Sequence, residues 1–265
     1  MFDFLRTRLR QGTRTLRFPS ADASFPERFR GRPVLDTARC ESGCRDCSAR
    51  MPSRLVRLSH DGAAALDLGA CLFSPEEALA CPHGALQFTR DYRMAASTRD
   101  ALVTPTGEVE LARSLDERAR RLFGRSLRLR SVVAGSCNGC EAELVALGNV
   151  VFDLARFGVQ FVASPRHADG IVVTGAVNTN MRLALQKTYE AVPEPRLVIA
   201  VGACAISGGP FQGSPEVADG IGDLLPVDLW VPGCPPHPLT VLDGLLRLLG
   251  TIESGAPPQR ASPSR

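Results

Sequence analysis

The sequence predicts an α/β protein in which a parallel sheet with helices on both faces fills the C-terminal half, preceded by a smaller α+β unit. Three observations carry this. First, β-branched runs at 127–133, 159–162, 170–173, 197–201 and 227–231 alternate with helix candidates at 141–147, 181–192 and 239–249, and strands alternating with helices give a parallel sheet covered on its faces. Second, a faint repeat between 32 and 90 sets Asp36-Thr-Ala-Arg-Cys40 against Asp67-Leu-Gly-Ala-Cys71, and Met51-Pro52 against Cys81-Pro82. Two copies too short for separate cores predict one pseudo-symmetric unit. Third, 265 residues with 44% hydrophobic and 22% charged positions can bury a core and leave room for two small domains.

In chain order, residues 1–31 form an arm. Its start sets Phe2, Leu5 and Leu9 at helical spacing, with Phe4 near that face and Arg6, Arg8, Arg10 and Arg14 around the rest. Such a basic amphipathic segment can lie in a bilayer interface, dock on a membrane-embedded partner or pack on its own protein. The repeat unit spans 32–103, and each half ends in a short strand candidate, at 55–58 and 85–89. Residues 104–126, with Pro105, Gly107 and the start of an arginine-rich stretch, read as a linker with a helical portion. The sheet unit spans 127–251, and 252–265, rich in Pro, Ser, Gly and Arg, reads as a disordered tail.

Several function classes fall away. A net charge of +3 is too mild for a nucleic-acid partner, and the arginines of 118–130 lack interleaved aromatics. No apolar run reaches the roughly 18 residues of a spanning helix. The Met1-Phe2-Asp3-Phe4 start, followed by arginines, has no apolar signal segment, which predicts a reducing compartment. There, closely spaced cysteines are metal ligands more often than crosslinks. No dinucleotide fingerprint, Walker loop or nucleophile elbow points to a stand-alone enzyme. The histidines His60, His83, His167 and His237 show no mutual spacing, and His237 is expected at the surface.

Four of the nine cysteines fall just past predicted strands. Cys137 and Cys140 follow the first, Cys204 the fourth and Cys234 the fifth, so all four are expected at one edge of the sheet. Converging thiolates there predict a metal site, and spacing alone leaves both zinc and an iron–sulfur cluster open. Gly135, Gly139, Gly202, Gly208, Gly209 and Gly233 beside them suit close backbone approach. The runs Gly135-Ser-Cys137-Asn-Gly-Cys140-Glu141, Val201-Gly-Ala-Cys204-Ala-Ile-Ser-Gly-Gly-Pro210-Phe211 and Val231-Pro-Gly-Cys234-Pro-Pro236 together resemble the small-subunit family shared by group 4 nickel–iron hydrogenases and the complex I 20 kDa subunit. The resemblance implies a flavodoxin-like sheet and a [4Fe–4S] cluster on Cys137, Cys140, Cys204 and Cys234. The Cys-x-x-Cys pair is similar to the hydrogenase pattern rather than the adjacent cysteines of complex I. Leu239 departs from the family, where a glutamate often stands. Glu141 reads either as a first-turn helix residue or, by the resemblance, as a proton-path or supporting group.

The repeat unit resembles a two-cluster bacterial ferredoxin, in which each cysteine run gives three ligands to one cluster and its fourth to the other. The first run reads Cys40-x3-Cys44-x2-Cys47-x3-Met51-Pro52, and the second Cys71-x2-Ser74-x2-Glu77-x3-Cys81-Pro82. Crossed assembly gives one complete set, Cys40, Cys44, Cys47 and Cys81, and one dead set, Cys71, Ser74, Glu77 and Met51. One cluster is expected to survive, although the extra residue between Cys40 and Cys44 distorts its loop. Cys71 is then a buried small hydrophobe. Gly12-Thr13 and Arg30-Gly-Arg-Pro33 extend the resemblance to the formate hydrogenlyase and hydrogenase-4-type ferredoxin subunit.

These resemblances imply a natural fusion of two electron-transfer subunits, with two [4Fe–4S] clusters, at the cytoplasmic face of the inner membrane. The implied partners are a large subunit of the hydrogenase or complex I 49 kDa kind, membrane-embedded subunits and an upstream electron donor beside the ferredoxin-like unit. Two alternatives stay open: the equivalent subunit of a nickel-free, quinone-reducing or ion-pumping complex, and an assembly scaffold with a metal-free ferredoxin relic.

Overall fold

The structure, a computed structural model, describes residues 2–21, 23–40, 46–51, 53–58, 63–124 and 126–252. Cys44, His60 and residues 253–265 of the expected tail at 252–265 lie outside the described residues. In chain order the elements are α1 (Phe2–Gln11), β1 (Pro33–Leu35), α2 (Asp46–Arg50), β2 (Val56–Leu58), β3 (Ala64–Asp67), α3 (Pro75–Leu79), β4 (Leu86–Phe88), β5 (Val103–Thr104) and α4 (Glu117–Phe123). The second half continues with β6 (Leu127–Val133), α5 (Gly139–Ala146), β7 (Val159–Phe161), β8 (Gly170–Thr174), α6 (Thr179–Glu190), β9 (Leu197–Val201), α7 (Ala203–Ser207), β10 (Leu229–Val231) and α8 (Pro238–Leu248).

The last five strands form one sheet of order β10-β9-β8-β6-β7, with every pairing parallel. Counted from β6, this is the flavodoxin-like order 2-1-3-4-5. β8 and β9 are buried at all five positions, as continuous apolar runs are when both faces of a sheet are covered. The alternation of side chains then splits the core in two. Leu197, Ile199, Val201, Leu229 and Val231 pack toward Leu144 of α5 and the apolar residues of α8. Val198, Ala200, Ile171, Val173 and Trp230 point the other way, toward Leu185 of α6 and toward Leu55, Leu66 and Leu68 of the N-terminal half.

The two halves therefore share one core. Two small sheets, β1-β4 and β2-β3-β5, build the N-terminal half. The short helices α2 and α3 occupy corresponding places in the repeat. Past them, Ala96 pairs with Trp230 through both of its backbone groups, at 3.0 and 2.9 Å, adding a bridge to the β10 edge. The segment 104–126, read as a linker, is tied down along its length. The Ala112 amide donates to the Ala95 carbonyl at 2.8 Å and the Leu115 amide to the Leu248 carbonyl at 2.9 Å. Its helix α4 starts where the Asp116 carboxylate accepts from the Ala119 amide at 2.8 Å.

α8 begins at Pro238, which is pre-set for a first helical turn. All of its residues are buried, including an Asp243–Arg247 pair in which Nε donates to Oδ2 at 2.8 Å. One side of α8 lies on the sheet, and the arm shares its core cluster through Leu16 and Phe18. By contrast, α1 buries nothing: Phe2, Phe4, Leu5 and Leu9 are all exposed. Among the described residues no helix is long and apolar enough to cross a membrane.

Candidate metal centre

Because the sheet is parallel, the loops after β6, β9 and β10 leave it at the same edge. Cys137 lies in the β6–α5 loop and Cys140 in the first turn of α5, beyond the point where strand order reverses. Cys204 is the second residue of α7, directly after β9, and Cys234 follows β10 by three residues. The thiols are mutually close in an electrostatic sense. Burial raises the pKa of Cys140 furthest, with Glu141, Cys204, Cys234 and Cys137 adding to it. Cys204 is pushed up to about 11, first by burial and then by Cys234 and Cys137. Cys234 is raised by burial, then by Cys137 and Glu77. Cys140 is buried, Cys204 and Cys234 are partly buried, and Cys137 is exposed.

The backbone around these sulfurs has been cleared of side chains. A Cβ on Gly202 would stand 2.5 Å from Cys140 Sγ, and one on Gly209 would stand 2.9 Å from Cys204 Sγ. Both glycines adopt positive φ, +91° and +55°, which L side chains rarely do. Four thiols set against glycine backbone have the donor chemistry of a sulfur-bridged cluster, whose sulfides come close to the main chain. Among the described residues, no three His, Cys, Asp or Glu lie close enough together to hold a single metal ion.

Glu141 sits in the first turn of α5, where Oε1 accepts from the Thr174 hydroxyl while Oε2 is buried without a partner. Leu239 is 1% exposed and packs in the core of α8. His237, expected at the surface, is half-buried: Nδ1 caps α8 by accepting from the Leu239 amide at 3.1 Å. Its ring meets Phe25, Phe29 and Phe152 edge-on, with centroids 5.2, 5.5 and 5.8 Å away.

In the N-terminal half, Cys40, Cys47 and Cys81 line one small apolar cavity with Leu35, Val56 and Leu86. These are three of the four positions that crossed assembly groups together. The complementary set is built differently. Cys71 is fully buried in the hydrophobic core, as expected of a small hydrophobe, and its thiol also donates to Glu77 Oε2 at 3.4 Å. Burial, then Glu77, hold the pKa of that thiol well above its ordinary value. Ser74 and Glu77 form a capping box at the start of α3. Met51 is partly buried against the core.

An open five-stranded parallel sheet that gathers four thiols beyond its carboxyl edge defines the class, a thiol-bearing α/β subunit of flavodoxin-like topology. The family model described as NADH ubiquinone oxidoreductase, 20 Kd subunit, matches residues 137–248, and the chain belongs to that family. It is 41% identical over 143 residues to the probable membrane-bound hydrogenase subunit mbhJ of Pyrococcus furiosus, covering 52% of this chain and 86% of that one. It is 47% identical over 118 residues to an NADH-quinone oxidoreductase subunit of Heliobacterium modesticaldum, covering 44% of this chain and 67% of that one. Against formate hydrogenlyase subunit 7 of Escherichia coli it is 43% identical over 129 residues, covering 49% of this chain and 51% of the relative. Family members are subunits of oxidoreductase complexes.

Proposed function

We propose that the chain is an iron–sulfur electron-transfer subunit of a membrane-associated, formate hydrogenlyase-like group 4 hydrogenase complex. In this reading it fuses a ferredoxin subunit to the small subunit and serves a nickel–iron large subunit. The observation that carries the reading is the convergence of Cys137, Cys140, Cys204 and Cys234 beyond one sheet edge, with Gly202 and Gly209 clearing space at the sulfurs. Those four thiolates would hold one [4Fe–4S] cluster, and Cys40, Cys44, Cys47 and Cys81 a second. Bound there, such clusters supply one-electron transfer. The chain's own residues do the holding: the parallel strands fix the loops, the glycines admit the sulfides, and burial keeps water from the inner thiols.

The shared core of the two halves fixes the distance between the two cysteine sets, so no docking step between separate subunits is needed. The exposed amphipathic α1, with Arg6, Arg8 and Arg10 flanking Phe2, Leu5 and Leu9, supports peripheral attachment at a cytoplasmic membrane face, beside membrane-embedded subunits. An electron donor would dock near the Cys40–Cys81 cavity.

Similarity to the Heliobacterium modesticaldum NADH-quinone oxidoreductase chain favours a second reading, the equivalent subunit of a nickel-free, quinone-reducing or ion-pumping complex. Nickel content of the complex purified anaerobically through this chain separates the two. About one nickel per chain is expected for the hydrogenase; iron without nickel moves the assignment to the second reading.

A further inference from the structure

We propose that the Glu77 carboxylate stands in the place of the lost second ferredoxin cluster and lowers the reduction potential of the centre held by Cys137, Cys140, Cys204 and Cys234. This rests on the reading that those four thiols hold an iron–sulfur cluster.

Three of the four positions of the dead ligand set, Cys71, Ser74 and Glu77, are still gathered, now around an anion acceptor instead of a metal. Glu77 is fully buried. Its Oε1 accepts from the Leu72 amide at 2.9 Å and from the Ser53 hydroxyl, while Oε2 accepts from the Ser74 amide at 3.0 Å and the Cys71 thiol at 3.4 Å. Among the described residues these four contacts are neutral donors, which suits a carboxylate, while the cations Arg28 and Arg30 stand in the cleft lined by Phe73 and Cys234, where Arg30 Nε donates to the Phe73 carbonyl. Inside a protein the field of such a charge is weakly screened.

That field falls on the C-terminal site. The Leu68–Phe73 loop leading to Glu77 is seated on α7, the helix of Cys204: the Ser207 hydroxyl donates to the Gly69 carbonyl at 2.9 Å, and a Cβ on Gly69 would stand 2.5 Å from the Ile206 side chain. Phe73 and Cys234 line the same cleft. A fixed negative charge beside a redox centre disfavours the added electron, so the potential falls. A ferredoxin cluster in this position would have been a redox neighbour; the carboxylate is a constant one.

The test is an EPR-monitored redox titration of the full chain in its complex at pH 8, with the C-terminal signal identified by its loss in Cys204→Ser. In Glu77→Gln, which keeps the shape and removes the charge, the midpoint is expected to rise. At the unsubstituted protein's midpoint, the reduced-to-oxidised ratio should increase about three- to tenfold, tenfold being 59 mV for a one-electron couple. Ser53→Ala keeps the charge but removes a neutralising donor, and should shift the midpoint the opposite way; it carries the test if Glu77→Gln does not fold. A merely structural Glu77 would lower the melting temperature and leave both midpoints in place. Unchanged midpoints with iron retained overturn the proposal alone. Absence of any Cys204-dependent iron in the unsubstituted protein overturns the functional reading beneath it.

Discussion

The two cysteine sites of this chain are built by opposite means. The C-terminal one draws on residues up to 97 positions apart, from Cys137 to Cys234, yet its geometry is rigid, because each ligand loop leaves a strand of one hydrogen-bonded sheet buried on both faces. The N-terminal one draws on short local runs held by five-residue helices and two- to four-residue strands. A site tied to a sheet cannot lose a ligand without stranding three others at a fixed edge. A site made of loops can be refilled locally, and a capping box and a buried carboxylate at Cys71, Ser74 and Glu77 are what the proposed loss of a cluster would leave.

That contrast can be broken or sharpened by substitution. The largest effect is expected for Cys204→Ser, which should remove the whole C-terminal cluster, about four of about eight irons per chain by iron analysis, since the edge offers no spare thiol. Cys81→Ser should remove about four irons from the other set and leave the Cys204-dependent EPR signal unchanged; simultaneous loss of both would mean that the sites are not independent. Truncating the fully buried Leu242 of α8 to alanine should destabilise the protein by about 2–5 kcal/mol in urea unfolding, the ordinary cost of a core cavity. Gly202→Ala places a methyl 2.5 Å from Cys140 Sγ at a φ of +91°. It should cost about 1–3 kcal/mol in backbone strain and lower iron occupancy only at the C-terminal site. Smallest, replacing Arg6 or Arg8 of α1 by glutamine should weaken binding to vesicles containing anionic lipid by about 1 kcal/mol per residue, read by sedimentation, without changing iron content.

The C-terminal half was the more legible because its signals are local and redundant. β8 and β9 are unbroken apolar runs, and Cys137, Cys204 and Cys234 follow their strands within three or four residues, so the common edge could be read before any pairing was known. The expected strand ends fell within two residues of those observed. The seam between the halves was not legible. Ala96 meets Trp230, and Leu115 meets Leu248, through backbone bonds that connect residues more than 130 positions apart and leave no periodic trace. Segment 104–126 therefore read as a linker although Ala112 and Phe123 are buried. Ser74 and Glu77 illustrate a subtler loss. Their spacing is a capping-box pattern, but viewed as failed ligands they suggested a vacancy; the burial of Glu77 and the inward aim of Ser53, which fill that place, depend on tertiary packing. His237 was missed as a cap for a similar reason, since its partner amide lies only two residues on but its aromatic neighbours come from the arm and from the α5–β7 connection.

The central claim is that the sheet edge holds an iron–sulfur cluster on Cys137, Cys140, Cys204 and Cys234. It is tested most directly by metal analysis and EPR of the anaerobically isolated complex, with and without Cys204→Ser. The account predicts iron and sulfide with a reducible signal that disappears in the variant. Zinc at that site, or iron unchanged by the loss of Cys204, would contradict it.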